Sequence, residues 1–155
     1  MVRLACWLDH PQIAALLDTC FGDVQVAAGG HRETPSSVEV LATRQSELLV
    51  MAESDAIIGC VQRDLYRKCL SKLAVHPRSR GTRVGGALVG AVEERALASG
   101  WWILRLAVRV EEPELVEYYR RLNYECIAPL VDSDPAPGAT RSAGKLYQMG
   151  RVLVT

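Results

Sequence analysis

From Leu73 to Val108 the chain reads as strand, loop, helix and strand, and no other stretch limits its folding as tightly. In LAVHPRSRGTRVGG, Leu73 to Gly86, an apolar strand ends at Val75 and Pro77 stops further pairing. Arg78, Arg80 and Arg83 then crowd around Gly81 before Val84 opens a helix. Val84, Leu88, Ala91 and Arg95, flanked by Ala87 and Val92, keep helical spacing until Ser99 and Gly100 stop it. Trp101 to Val108 is an apolar run broken by Arg105, the pattern of a strand covered on both faces. Such a unit closes as a parallel, right-handed crossover, with the arginine-rich loop at the first strand's carboxyl end. Free N–H groups at a helix start carry about half a positive charge, glycines admit close approach, and arginines add bidentate donors. Together these fit a phosphate, although a basic solvated turn has the same composition.

Two common phosphate motifs are excluded. A nucleoside-triphosphate loop needs G-x-x-x-x-G-K-S/T, and Ala87 stands in place of the lysine after Gly81 and Gly86. A dinucleotide fingerprint needs G-x-G-x-x-G, and Arg83 breaks it after Gly81. VHPRSRGTRVGGAL instead resembles motif A of the GNAT family of coenzyme A dependent N-acyltransferases, R/Q-x-x-G-x-G/A. Arg80 and Gly85 match that pattern, and Arg83 departs from it. The resemblance implies that Leu73, Ala74 and Val75 present backbone groups to pantetheine. It implies also that Arg80, Gly81, Thr82, Arg83, Val84, Gly85 and Gly86 hold the pyrophosphate. At a helix's first turn φ is negative, so Arg83 is expected to point outward and to fold its guanidinium back onto a phosphate oxygen.

The rest of the chain surrounds this unit. Val2 to Trp7 reads as a first strand, Asp9 as an N-cap and Pro11 as a first-turn residue, before a helical stripe of Ile13, Leu16, Leu17 and Cys20. Gly22 to Pro35 reads as a loop, a candidate substrate rim in which His31 and Glu33 have acid–base side chains, as solvated loops often do. A short helix follows from about Ser36, with Val38, Val40 and Leu41. Glu47 to Ala52 and Ala56 to Leu65 form a hairpin pattern about Ser54 and Asp55. Gly59 marks a bulge or a close contact, Arg63 to Lys68 a charged turn, and Cys69 to Val75 the strand that enters the loop.

Glu111, Glu112, Pro113 and Glu114 open another helix, carried on by Leu115, Tyr118, Tyr119 and Leu122. Its continuation, LVEYYRRLNYECI, is similar to a second GNAT signature, A-x-x-L-Y-E-K-L-G-F. That alignment places Tyr119 at the family's tyrosine, and Asn123 and Tyr124 at its glycine and phenylalanine. Glu112 stands where many members have a cofactor-holding asparagine. Two tyrosines on an apolar helix face also make ordinary core. Tyr124 to Leu130 reads as a strand, Asp132 to Gly144 as a Pro/Gly-rich loop, and Lys145 to Val154 as a last strand.

With 155 residues, 49% of them hydrophobic, the chain has enough material for one buried core, so residues 1–155 are expected to form a single domain. Lys+Arg and Asp+Glu both number 18, which gives no basic field for nucleic acid. Cys6, Cys20, Cys60, Cys69 and Cys126 contain no C-x-x-C and read as buried, reduced thiols rather than metal ligands or disulfides. No apolar run approaches the ~18 residues of a membrane span and no leader pattern opens the chain, so a cytoplasmic protein without membrane attachment is expected.

The resemblance implies a mixed α/β, α+β fold: a mostly antiparallel central sheet with one parallel strand pair splayed at the acyl-CoA site, and helices on both faces. It implies an N-acetyltransferase using acetyl-CoA as co-substrate, with no metal, acting on a primary amine of a small molecule or protein. In that chemistry Tyr119 protonates the departing sulfur and a backbone N–H near Leu73 stabilises the oxyanion. A non-catalytic acyl-CoA-binding sensor or docking module, favoured by Arg83 and Glu112, and an O-acyltransferase are the alternatives. Members are often dimers, so a homodimer is an expected assembly, although no interface is legible in the residues.

Overall fold

The computed structural model describes residues 1–27, 34–41, 45–132 and 145–153. Seven strands, β1 (Val2–Leu4), β2 (Ser46–Glu53), β3 (Ala56–Asp64), β4 (Cys69–Val75), β5 (Ile103–Arg109), β6 (Glu125–Asp132) and β7 (Lys145–Val152), make one sheet. Their order is β1-β2-β3-β4-β5-β7-β6. Helices α1 (His10–Ala27) and α2 (Pro35–Leu41) precede β2, α3 (Val84–Ala98) joins β4 to β5, and α4 (Pro113–Arg121) joins β5 to β6. Every strand pairing is antiparallel except β4 with β5.

Strand alternation divides the apolar side chains between two layers. On β2, Leu49 faces a cluster with Leu88, Val92, Leu104, Tyr119, Tyr124 and Met149 beneath α3 and α4. Its neighbours Leu48 and Val50 face Ile13, Leu17, Val38 and Cys60 beneath α1 and α2. Helices therefore cover both faces, as expected. Gly59 is both a close contact and the neighbour of a bulge. A β-carbon on it would stand 2.8 Å from Leu88 Cδ1 and 2.9 Å from Val84 Cγ1, and the β2–β3 register shifts beside it. The glycine lets the first turns of α3 lie directly on β3.

Several expectations about elements change. β1 stops at Leu4, because the chain folds into a 3-10 turn at Trp7–Asp9 that the Asp9 carboxylate holds by accepting from Cys6 N at 2.8 Å. α1 continues through Gly22 to Ala27; an interior glycine costs only ~1 kcal/mol against alanine, less than the burial of the Ile13–Leu17 stripe supplies. β5 is covered on one face only, with Leu104, Leu106 and Val108 buried while Arg105 and Ala107 are exposed. An apolar residue does not have to be inside. Arg63, expected to open a charged turn, is instead buried at the end of β3. Of the expected Asp132–Gly144 loop, Asp132 instead ends β6 and 133–144 lie outside the described residues, as do His31 and Glu33 of the expected rim.

Arg3 grips Asp9 with two hydrogen bonds of 2.7 and 3.0 Å. The guanidinium, assisted by the Cys6 N–H and opposed by burial, lowers the Asp9 carboxyl to about 2. A carboxylate depressed in the folded state stabilises it above the unfolded value near about 4, and that stability is lost as the pH falls toward about 2. Urea midpoints should therefore fall more steeply between pH 4 and 2 for the native sequence than for Asp9→Asn. Parallel slopes would show that the pair contributes nothing to folding.

Candidate active site

β4 and β5 register at one pair, Cys69 with Arg105, near the strands' amino ends. Beyond that pair the strands part, which leaves Leu73, Ala74 and Val75 facing a gap whose other wall is β5. Ala74 is buried against the α1 layer, while Leu73 and Val75 are half-buried. The loop that follows makes a 3-10 turn at Pro77–Ser79, with His76 Nδ1 accepting from Arg78 N at 3.2 Å. Gly81 has a φ of 79° and Thr82 Oγ1 donates to Ser79 O.

Arg83 is the N-cap of α3, and its φ of 68° lies in the left-handed region. This overturns the expectation of a negative φ. The motif's glycine position is one where the backbone itself favours glycine, and arginine there is strained. The same residue has a second effect. Serine, threonine or aspartate at an N-cap would accept from the free N–H groups. Arginine carries no acceptor, and no side-chain cap forms. The first intrahelical bond, Ala87 N to Arg83 O at 3.0 Å, leaves the N–H groups of Val84, Gly85 and Gly86 at the open end. No carboxylate occurs between Leu73 and Val92 to oppose an anion.

Arg83→Gly should raise the melting temperature by about 2 °C. Relief of ~1–2 kcal/mol of left-handed strain exceeds the ~0.5–1 kcal/mol of added chain entropy. Calorimetric melting checks this, and a lower melting temperature would show that the Arg83 side chain makes contacts that outweigh the strain.

Arg80 donates from Nε to Val75 O at 3.3 Å and from Nη2 to Cys20 Sγ at 3.6 Å, and Cys20 Sγ in turn lies 3.6 Å from Val75 O. Cys20 was invisible as a site residue, since only the docking of α1 brings it to the end of β4. All five cysteines are free. Cys60 is fully buried, and burial pushes its thiol up to about 12. Cys6 and Cys126, however, are exposed, because one lies beyond the end of β1 and the other on the edge strand β6.

Glu112 is the N-cap of α4 and makes no side-chain cap. It follows the carboxyl end of β5, the opposite wall of the gap from the α3 loop. Tyr119 is 7% exposed, with its ring edge-on to Tyr118 at 5.3 Å and to Tyr124 at 5.9 Å. Burial raises its phenol above the ordinary tyrosine value, so it is protonated at neutral pH. Among the described residues its Oη has no hydrogen-bond partner, whereas Tyr124 Oη donates to Glu93 at 3.0 Å. The adjacent Tyr118 is half-buried and reaches the first turn of α3: a β-carbon on Gly85 would land on its Oη, with Tyr118 Cζ at 3.3 Å and Val75 Cγ2 at 3.6 Å. Sequence reasoning placed Tyr118 with the core; its reach across to Gly85 depends on how α4 packs on α3. No group of three or more metal-ligating side chains occurs among the described residues, and no described helix is long and apolar enough to cross a membrane.

A mostly antiparallel sheet with a single parallel pair parting before a helix start defines a GNAT-type fold, and comparison with known proteins agrees. Residues 44–126 match the family model described as acetyltransferase (GNAT) domain, and the chain belongs to that family. An acetyltransferase of Yersinia enterocolitica is 33% identical over 91 residues, which are 57% of this chain and 64% of that relative, less than two thirds of its length. The structure of smu.2055 from Streptococcus mutans superposes with a TM-score of 0.80 at 16% identity, covering 99% of each chain. An aminoglycoside 6'-N-acetyltransferase solved in complex with coenzyme A superposes at 0.73 with 13% identity, covering 100% of this chain and 98% of that one.

Proposed function

We propose that the protein transfers an acetyl group from acetyl-CoA to a primary amine. The observation that carries this reading is the β4–β5 gap, registered only at Cys69 and Arg105, opening beside a helix start whose N-cap side chain has no acceptor to occupy the free N–H groups. Pantetheine would lie in the gap along Leu73–Val75 and borrow backbone hydrogen bonds as an added strand does. The pyrophosphate would meet the N–H groups of Val84, Gly85 and Gly86, with Arg80 and Arg83 as cationic donors and Gly81 and Thr82 shaping the approach. Arg80 would exchange Val75 O for a phosphate oxygen as the cofactor enters. Glu112 stands beside the other wall as the remaining cofactor contact.

The amine first loses a proton, since an alkylammonium with a pKa near ~10 has no free lone pair at neutral pH. Its nitrogen then attacks the thioester carbon, and an N–H near Leu73 steadies the oxyanion. Collapse breaks the C–S bond, Tyr119 gives its proton to the leaving thiolate, and the proton that the attacking nitrogen sheds as the amide forms restores the phenol. A thiol of pKa ~8.5 leaves readily, so orientation of the two substrates supplies much of the rate.

Incubation with acetyl-CoA and a panel of amines, following free thiol and product mass together, tests the reading. Thiol release matched by an acetylated amine is expected. Cofactor binding with no turnover on any amine would favour the sensor, a reading supported by arginine at the left-handed glycine position, and an acetylated hydroxyl would favour O-acyl transfer.

A further inference from the structure

We propose that Tyr118 Oη is a second cofactor ligand, donating a hydrogen bond to the pyrophosphate of coenzyme A, so that the two adjacent tyrosines of α4 divide the cofactor between them. The inference rests on the acetyl-CoA reading above. Three observations carry it. Tyr118 Oη occupies the space a β-carbon would take on Gly85, the second residue of α3 and one of the three whose N–H groups lie at its open end. Val75 Cγ2 flanks the same point, so the phenol stands where β4 ends and α3 begins, at the junction between the pantetheine gap and the phosphate loop. Among the described residues Tyr118 Oη has no hydrogen-bond partner, although the side chain is half-buried.

A half-buried phenol that no described protein group pairs keeps its donor available to solvent or to a bound ligand. Backbone N–H groups cannot accept from it, because they are donors too. An anion can accept from both at once, so the phenol and the helix start are complementary to the same oxygens. The signature has leucine where Tyr118 stands, so the phenol adds a donor that leucine lacks. Phenylalanine or leucine at 118 would keep the apolar contact with Tyr119, whose ring centroid lies 5.3 Å away, but not the donor.

The test measures dissociation constants for coenzyme A and for adenosine 3'-phosphate 5'-diphosphate, which keeps the pyrophosphate and lacks pantetheine. Tyr118→Phe and Tyr118→Leu, both checked for an unchanged fold by thermal melting, should weaken the two ligands by the same factor of about tenfold, the loss typical of a hydrogen bond to a charged group. Loss with coenzyme A alone would place Oη on pantetheine and overturn the assignment, as would unchanged affinity for both. If the native protein binds neither ligand, the acetyl-CoA reading itself fails and takes this one with it. Intact binding by the native protein with indifferent variants removes only the role of Tyr118.

Discussion

Replacing Arg63 by alanine should unfold the protein about 10 °C lower, the largest stability loss expected of a single charged residue here. Arg63 is 5% exposed, yet every face of its guanidinium is used. Nε and Nη2 reach the two oxygens of Glu47 at 3.1 Å each. Nη1 donates to Arg95 O at 3.2 Å and to Ser99 Oγ at 3.0 Å, and the group lies 5.1 Å from the centre of the Trp101 ring. It therefore ties β2 and β3 to the last turn of α3 and satisfies a carbonyl at that helix's C-terminus. Truncation leaves Glu47 with only Arg95, at 3.5 Å, among the described residues and opens space beside Trp101. Breaking a buried pair from one side costs about 3–5 kcal/mol, and the lower end of that range applies here because Glu47 is 25% exposed and keeps Arg95. Denaturant midpoints and melting curves measure it. Arg63→Lys should recover part of the loss, since it keeps the charge but not the planar fork, and full recovery would refute the geometric account. Below the melting transition coenzyme A affinity should change less than threefold, because the tether holds the end of α3 remote from the candidate phosphate loop.

Tyr119→Phe should lower turnover about 10- to 100-fold while changing acetyl-CoA affinity less than threefold, at or below the lower end of the ~100- to 10,000-fold range for general acid–base catalysis because the thiol leaves readily. The removed atom is a buried hydroxyl with no partner among the described residues, so the folded protein should be as stable as before, or slightly more so. That combination separates catalysis from packing. A tyrosine that served only the core would leave turnover unchanged, and measured single-turnover rates ensure that the chemical step is the one observed. Tyr118→Phe should show the opposite division, with affinity falling more than turnover.

The central unit was legible because its signals are local. Pro77, the glycines and the apolar spacing gave the ends of β4 and the start of α3 at the residues observed, and the resemblance supplied the family that residues 44–126 confirm. The backbone at Arg83 misled, since nothing in the side chain reveals that the N-cap turns through a φ of 68°. Asp9 was expected to cap α1 and instead locks a 3-10 turn with Arg3, because its carboxylate finds the nearer Cys6 N–H.

The sequence by itself determined the order of elements, the parallel crossover and the placing of a donor-rich loop at its strand's end, since turn residues and hydrophobic period act over a few neighbours. Only the tertiary structure decided which tyrosine points where. Tyr118 and Tyr119 are consecutive on one helix and chemically identical, yet one reaches Gly85 and the other is buried against Tyr124. Burial likewise turned Arg63 from an apparent turn residue into a buried tether, and the docking of α1 brought Cys20 to Arg80. Such choices depend on the angle and depth at which helices settle on a sheet, which are fixed by the packing of residues distant in the chain and leave no trace in local spacing.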